Sequence, residues 1–158
     1  MAQTVPQPDL VDLHVHSNAS DGAFSPREVV HRAADIGLKA VALTDHDTTA
    51  GLAEALAAGP DAGIEVIPGV EISGEFEEGA CHILGYFIDP AAAALGRVLE
   101  TAREGRRRRN AQILERLHDL GFDLTMDDVT RKQTAGTLTR AHFAAAMLEK
   151  GYVKNWDE

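Results

Sequence analysis

Short apolar runs of strand length alternate with stretches of helical spacing through the first half of this chain, and that order admits few folds. Residues 10–16 place Leu10, Asp12, His14 and His16 on one strand face and Val11, Leu13 and Val15 on the other, predicted to be the packed side. A turn-like SNASDG follows. Ser25-Pro26 then opens a predicted helix with Val29, Val30, Ala33, Ala34 and Leu38 near helical spacing and Gly37 as its stop. The unit repeats: 39–43 reads as a buried strand, 44–47 as its polar end, 48–58 as an Ala-rich helix ending near Gly59-Pro60, and 63–72 as a third strand. Strands separated by helices pair in parallel, which predicts an α/β fold of barrel type. A fourth strand is predicted over 81–88, after the acidic turn EFEEG.

Beyond Asp89-Pro90 the strand signals cease. Residues 91–120 form one long helical candidate with Leu95, Val98, Leu99, Ala102, Ile113, Leu117 and Leu120 as its apolar positions, ended by Gly121. Shorter helices are predicted over 125–130 and 139–150. The charge divides in the same place: residues 1–94 carry 3 basic and 15 acidic side chains, residues 95–158 carry 12 and 10. The predicted organisation is therefore 1–90, α/β, followed by 91–158, all helical. The net charge of −10 argues against indiscriminate binding to duplex nucleic acid or anionic membranes. One cysteine, Cys81, excludes an internal disulfide framework and fits a reducing compartment. The opening MAQTVPQPDL lacks the marks of a secretory signal, and no apolar run approaches the roughly 20 residues that span a bilayer. Cytoplasmic location is the expectation.

The polar residues gather where the predicted strands end. His14 and His16, two apart on a strand, point the same way and can reach one metal; alone, the pair also fits a polar strand face. The second strand runs into Thr44-Asp45-His46-Asp47, of which helix capping accounts for one residue. Glu71 stands between Val70 and Ile72, where an unpartnered carboxylate would be costly and a cation is a natural partner. Asp21 follows the first strand and His82 begins the fourth. Four of the seven histidines thus fall at strand ends, whereas His31 and His118 lie within predicted helices. Mixed imidazole and carboxylate donors suit Mn, Fe or Zn better than Mg or Ca.

The segments DLHVHSNASDGAFSP, AVALTDHDTTAG, IPGVEIS and HILGY, in that order, resemble the successive motifs of the PHP (polymerase and histidinol phosphatase) family. The likeness covers most of residues 9–88 and is strongest to its stand-alone metal-dependent phosphoesterases, the branch of nucleoside 3′,5′-bisphosphate phosphatases and 5′→3′ exoribonucleases. It implies the N-terminal part of a distorted (β/α)7 barrel with a helical cap insertion, binding two or three divalent metal ions. Carried over by position, it implies that His14, His16 and Glu71 hold one metal, that Glu71 bridges to a second held by His82, and that Asp21 and His46 hold a third. The cap pattern Gly-x-x-x-Arg-Pro-His-hydrophobic is approximated by Gly136, Arg140, His142 and Phe143, with Ala141 in place of proline, which makes Arg140 and His142 substrate-binding candidates. The chain ends at Glu158, before the later strands in which the family supplies two further histidines and an aspartate. A partial barrel with open strand edges, prone to self-association, is the expectation.

The function expected from the resemblance is hydrolysis of phosphomonoesters of nucleotides or short oligonucleotide ends through a metal-activated hydroxide. The alternatives are an inactive metal-binding or interaction module and a proofreading-type nuclease of the polymerase-associated kind. Asp45 and Asp47 are expected either to orient a ligand histidine or handle the leaving-group proton, or simply to cap the helix after them. Arg103 and Arg106 to Arg109 either form a solvated helix face, the favoured reading, or hold a substrate phosphate or track a single strand, and Cys81 is expected to pack.

Overall fold

A computed structural model of the chain describes residues 10–76, 79–131 and 136–156. The opening segment and part of the acidic turn, at 77–78, lie outside the described residues. The elements are β1 (Val11–Val15), α1 (Pro26–Asp35), β2 (Ala40–Leu43), α2 (Leu52–Ala62), β3 (Glu65–Phe76), β4 (Gly79–Tyr86), α3 (Ala93–Asp119), α4 (Met126–Thr130) and α5 (Arg140–Glu149).

Local chemistry sets most of these boundaries. Ser25 caps α1 reciprocally with Glu28, and Pro26 takes the first helical position, where no N–H is needed. The expected helix over 48–58 shifts to Leu52–Ala62. Its intended first turn is occupied by a local bond, the Thr48 hydroxyl accepting from Ala50 N–H at 3.2 Å. Pro60 sits inside the helix, not after it. Placed in the last turn, it forfeits only its own hydrogen bond. Gly63, at φ 68°, makes the actual stop.

The sheet has the order β1-β2-β3-β4, the form expected of part of a PHP barrel. β2 pairs in parallel with β1 and with β3, as the crossover helices require. β4, whose direction the sequence pattern leaves open, returns antiparallel along β3, pairing Ser73 with His82 and Phe76 with Gly79. Only two residues separate β3 from β4, too few for a parallel crossover.

β2 is buried on both faces. Val41 and Leu43 join Val29, Val30, Ala33, Leu52, Ala55, Ala58 and Ile64 beneath α1 and α2. Ala40 and Ala42 pack with Ile67 and Tyr86 on the other side. In β1 only Val15 reaches the core. Val11 and Leu13, expected to be packed, are 51% and 39% exposed because β1 lies at the sheet edge beside β2 alone. A separate cluster of Leu124, Val129, Phe143 and Ala146, with Ile113 and Leu117 of α3 against it, holds the helical segment together. Along α3, Leu99 is buried as expected, whereas Val98 and Leu120 are exposed. No helix among the described residues is long and apolar enough to cross a membrane.

Candidate metal centre

The C-terminal ends of β1 and β2, the loop after β1, and the β3–β4 pair deliver six side chains to one place. His14 and His16 leave β1 on the same face, and their ring centroids lie 5.1 Å apart. The backbone of His46 bridges to Glu71 as β2 ends. His82 comes back along β4 to within reach of the same carboxylate. His16 and His46 rings are 4.6 Å apart, and His46 and His82 rings 5.1 Å.

Glu71 is the hub, only 4% exposed. Its Oε2 lies 3.1 Å from His14 Nε2, 2.8 Å from His16 Nε2 and 3.3 Å from His46 Nδ1, and its Oε1 lies 2.7 Å from His82 Nδ1. Asp21 Oδ1 pairs with His16 Nδ1 at 2.9 Å, and Oδ2 lies 3.6 Å from His46 Nε2. All six residues expected from the sequence are thus brought together, in three overlapping groups: His14, His16 and Glu71; His16, Asp21 and His46; His46, Glu71 and His82. His46 belongs to two of them.

A cation fits these donors. His16 Nε2 and His46 Nδ1 are buried without a hydrogen-bond partner although a carboxylate oxygen is close to each, since the contacts are misaligned for an N–H donor. Lone pairs converging on a shared point give that arrangement, whereas a polar network closed on itself would leave neither nitrogen orphaned. The directions for His46, Glu71 and Asp21 suit a cation. Burial, against the pull of Asp21 and Glu71, pushes the His46 imidazole down to about 4. Burial works to raise Glu71, yet the hydrogen bond with His14 and the neighbouring imidazoles hold it below its ordinary value; Asp21 is held well below by His16 despite burial. Burial lowers His16, but the Asp21 hydrogen bond and nearby carboxylates outweigh it and raise the imidazole.

The aspartates flanking His46 are neither helix caps nor partners of an imidazole. Asp45 accepts from Ser17 N–H at 2.8 Å, Ser17 Oγ at 2.7 Å and Ser20 Oγ at 2.6 Å, fixing the loop that carries Asp21. Burial raises its carboxyl in spite of these donors. Asp47 accepts from Ser73 N–H at 2.7 Å and is paired with Arg106. That pair corrects the expectation of a solvated arginine face: Arg107 is exposed, but Arg106 is 6% exposed and locked to Asp47 Oδ2 by Nε at 2.9 Å and Nη2 at 2.6 Å. The only hint in the sequence was an uninterrupted basic run on a helix with few apolar positions.

The start of α5 borders the centre. Gly136, at φ 98°, passes so close to Ala19 that a Cβ would meet its carbonyl oxygen at 1.6 Å, and Thr137 N–H bonds that oxygen. Thr139 caps α5, His142 Nδ1 accepts from Thr139 N–H at 3.1 Å, and the Thr139 side chain bonds Asp21. Burial lowers the His142 imidazole against the attraction of Asp21. The helix forms with Ala141 at the proline position. Arg140 is exposed and, with Arg108, Arg106, Ser73 and His82, lines an open cleft of about 660 Å³. Cys81 is half-buried on the strand face opposite His82.

Comparisons with known proteins identify the family. A family model described as the PHP domain matches residues 12–155. The chain is 42% identical over 146 residues to the 3′,5′-nucleoside bisphosphate phosphatase of Chromobacterium violaceum, across 92% of this chain and 51% of the relative. To a 5′-3′ exoribonuclease of Haemophilus influenzae it is 40% identical over 144 residues, across 91% and 52%. A solved structure of an amidohydrolase from Chromobacterium violaceum, with sulfate bound and no metal, superposes with a TM-score of 0.85 at 42% identity, across 92% of this chain and 51% of that one. The chain therefore spans about half the length of the curated relatives it matches.

Proposed function

Since the chain belongs to the PHP domain family, we propose that it is a metal-dependent phosphoesterase hydrolysing phosphomonoesters of nucleotides or short oligonucleotide ends. The observation that carries this reading is the meeting of four imidazoles on the two oxygens of Glu71, with two ring nitrogens orphaned beside it. His14, His16 and Glu71 would hold one divalent ion, Glu71 and His82 a second, and Asp21 and His46 a third, with His46 also within reach of the second. Manganese, iron or zinc suits these donors. Bound there, such ions supply Lewis acidity: they acidify water and offset the charge that builds on phosphate oxygens.

The chain's own residues do the rest. Glu71 supplies the negative charge that draws cations into the bowl, and Asp21 does so on the side of the cap. Arg140 and His142, on the first turn of α5, are the substrate-binding candidates. Arg140 faces the cleft that also contains His82, where a guanidinium can make a two-pronged contact with a phosphate. The names of the relatives support phosphorylated nucleotides as the substrate class, one acting on a nucleoside bisphosphate and another on RNA from its 5′ end.

The test is elemental analysis after loading with Mn(II), followed by phosphate release from a nucleoside 3′,5′-bisphosphate. Glu71→Gln is expected to lose at least one equivalent of metal and the activity with it, while His31→Ala keeps both. Equal metal in the two variants overturns the site. Metal without any phosphate release favours the inactive binding module.

A further inference from the structure

We propose that Arg106 is a positioning residue for the metal centre, holding the turn after β2 and the inner part of β3 in register with each other and with α3; this rests on the reading of the centre given above. The guanidinium is carried by α3, from the helical segment, yet the groups it grips belong to the first part of the chain, Asp47 in the turn after β2 and Ser73 within β3. Nε and Nη2 donate to Asp47 Oδ2, and Nη2 also donates to Ser73 Oγ at 2.5 Å. Asp47 follows His46 directly, and Ser73 lies two residues beyond Glu71. One planar fork thus spans the two segments that deliver His46 and the hub carboxylate Glu71, each of which belongs to two of the three groups.

The backbone around the clamp ties it to those ligands. Asp47 N–H donates to the Glu71 carbonyl at 2.9 Å, Glu71 N–H donates to the Asp45 carbonyl at 3.2 Å, and Asp47 Oδ1 receives Ser73 N–H at 2.7 Å. Arg103 adds a bond to the Asp47 carbonyl at 3.0 Å. Asp47 adopts φ 53°, a left-handed conformation that a non-glycine residue keeps only when its surroundings hold it there. That twist turns the chain immediately after His46. The pair is fully enclosed, with side-chain exposures of 5% for Arg106 and 0% for Asp47, so its charge and directionality are little screened by solvent. A lysine would restore the charge as a point but not the fork. Groups that orient metal ligands from behind commonly change affinity by about 10–100-fold when removed.

The experiment compares the wild-type chain with Arg106→Lys, the charge-balanced double variant Arg106→Met/Asp47→Asn, and Arg107→Met on the exposed face. Two readouts are taken: the ring ¹⁵N signals of the histidines in the metal-free chain, and the affinity and visible spectrum of Co(II). In the double variant the His46 ring signals are expected to move while those of His31 and His118 stay, and Co(II) affinity to fall by about 10–100-fold with an altered spectrum. Arg106→Lys should recover part of the affinity, and Arg107→Met should match the wild type. Variants that melt earlier but keep wild-type His46 signals reduce Arg106 to a structural brace and overturn the proposal. A wild-type chain that binds no Co(II) overturns the proposed function, while the His46 signals still decide the role of Arg106.

Discussion

Asp45 anchors the loop that follows β1. It is 2% exposed and collects three donors from Ser17 and Ser20, which are themselves buried. Asp45→Ala leaves those donors without acceptors, so unfolding free energy measured in urea should fall by about 3 kcal/mol, with Asp45→Asn falling less because one carbonyl oxygen remains. The candidate site is legible in the sequence because strand alternation puts His14 and His16 on one face and because a carboxylate between Val70 and Ile72 needs a partner. The roles of Asp45 and Asp47 were not legible. Their partners stand 28 and 59 residues away in sequence, and no local periodicity encodes a meeting between a helix of one segment and a loop of the other.

At the level of elements, α4 shows how little a five-residue helix can rely on itself. Thr125 and Asp128 cap it reciprocally, and the same carboxylate binds Lys150, the C-cap of α5, at 2.7 Å. Lys150, with Thr125, holds Asp128 well below the ordinary carboxylate value, and Asp128 in turn raises Lys150. A lowered folded-state value means the contribution is complete above the unfolded value of about 3.9 and drains away as the pH falls through the lower folded one. The urea midpoint of Asp128→Asn should therefore lie below that of the wild type at pH 7, with the gap narrowing steadily below about pH 4. Helix and strand order followed from spacing, since β2 is an unbroken apolar run and α1 has a complete cap. The direction of β4 did not follow, because the apolar pattern of a strand is the same whichever way it runs. Nor did the exposure of Val11 and Leu13, which depends on what lies beside β1 and not on β1 itself.

Among the described residues the molecule has three apolar clusters, one on each face of β2 and one among the helices. Leu124→Ala removes a fully buried side chain from the helical cluster and should cost about 3 kcal/mol there. Hydrogen exchange in that variant is expected to quicken across α4 and α5 while the amides of β2 keep wild-type protection; loss of protection everywhere at once would mean a single cooperative unit. The edge strand adds a consequence of its own. β1 is braced by β2 alone, yet it bears His14 and His16, which reach across to a carboxylate on the third strand. Fraying of that margin would withdraw two imidazoles together, so a cation held between them and Glu71 would staple the border of the sheet, and ion loading and the firmness of the fold would become one linked equilibrium.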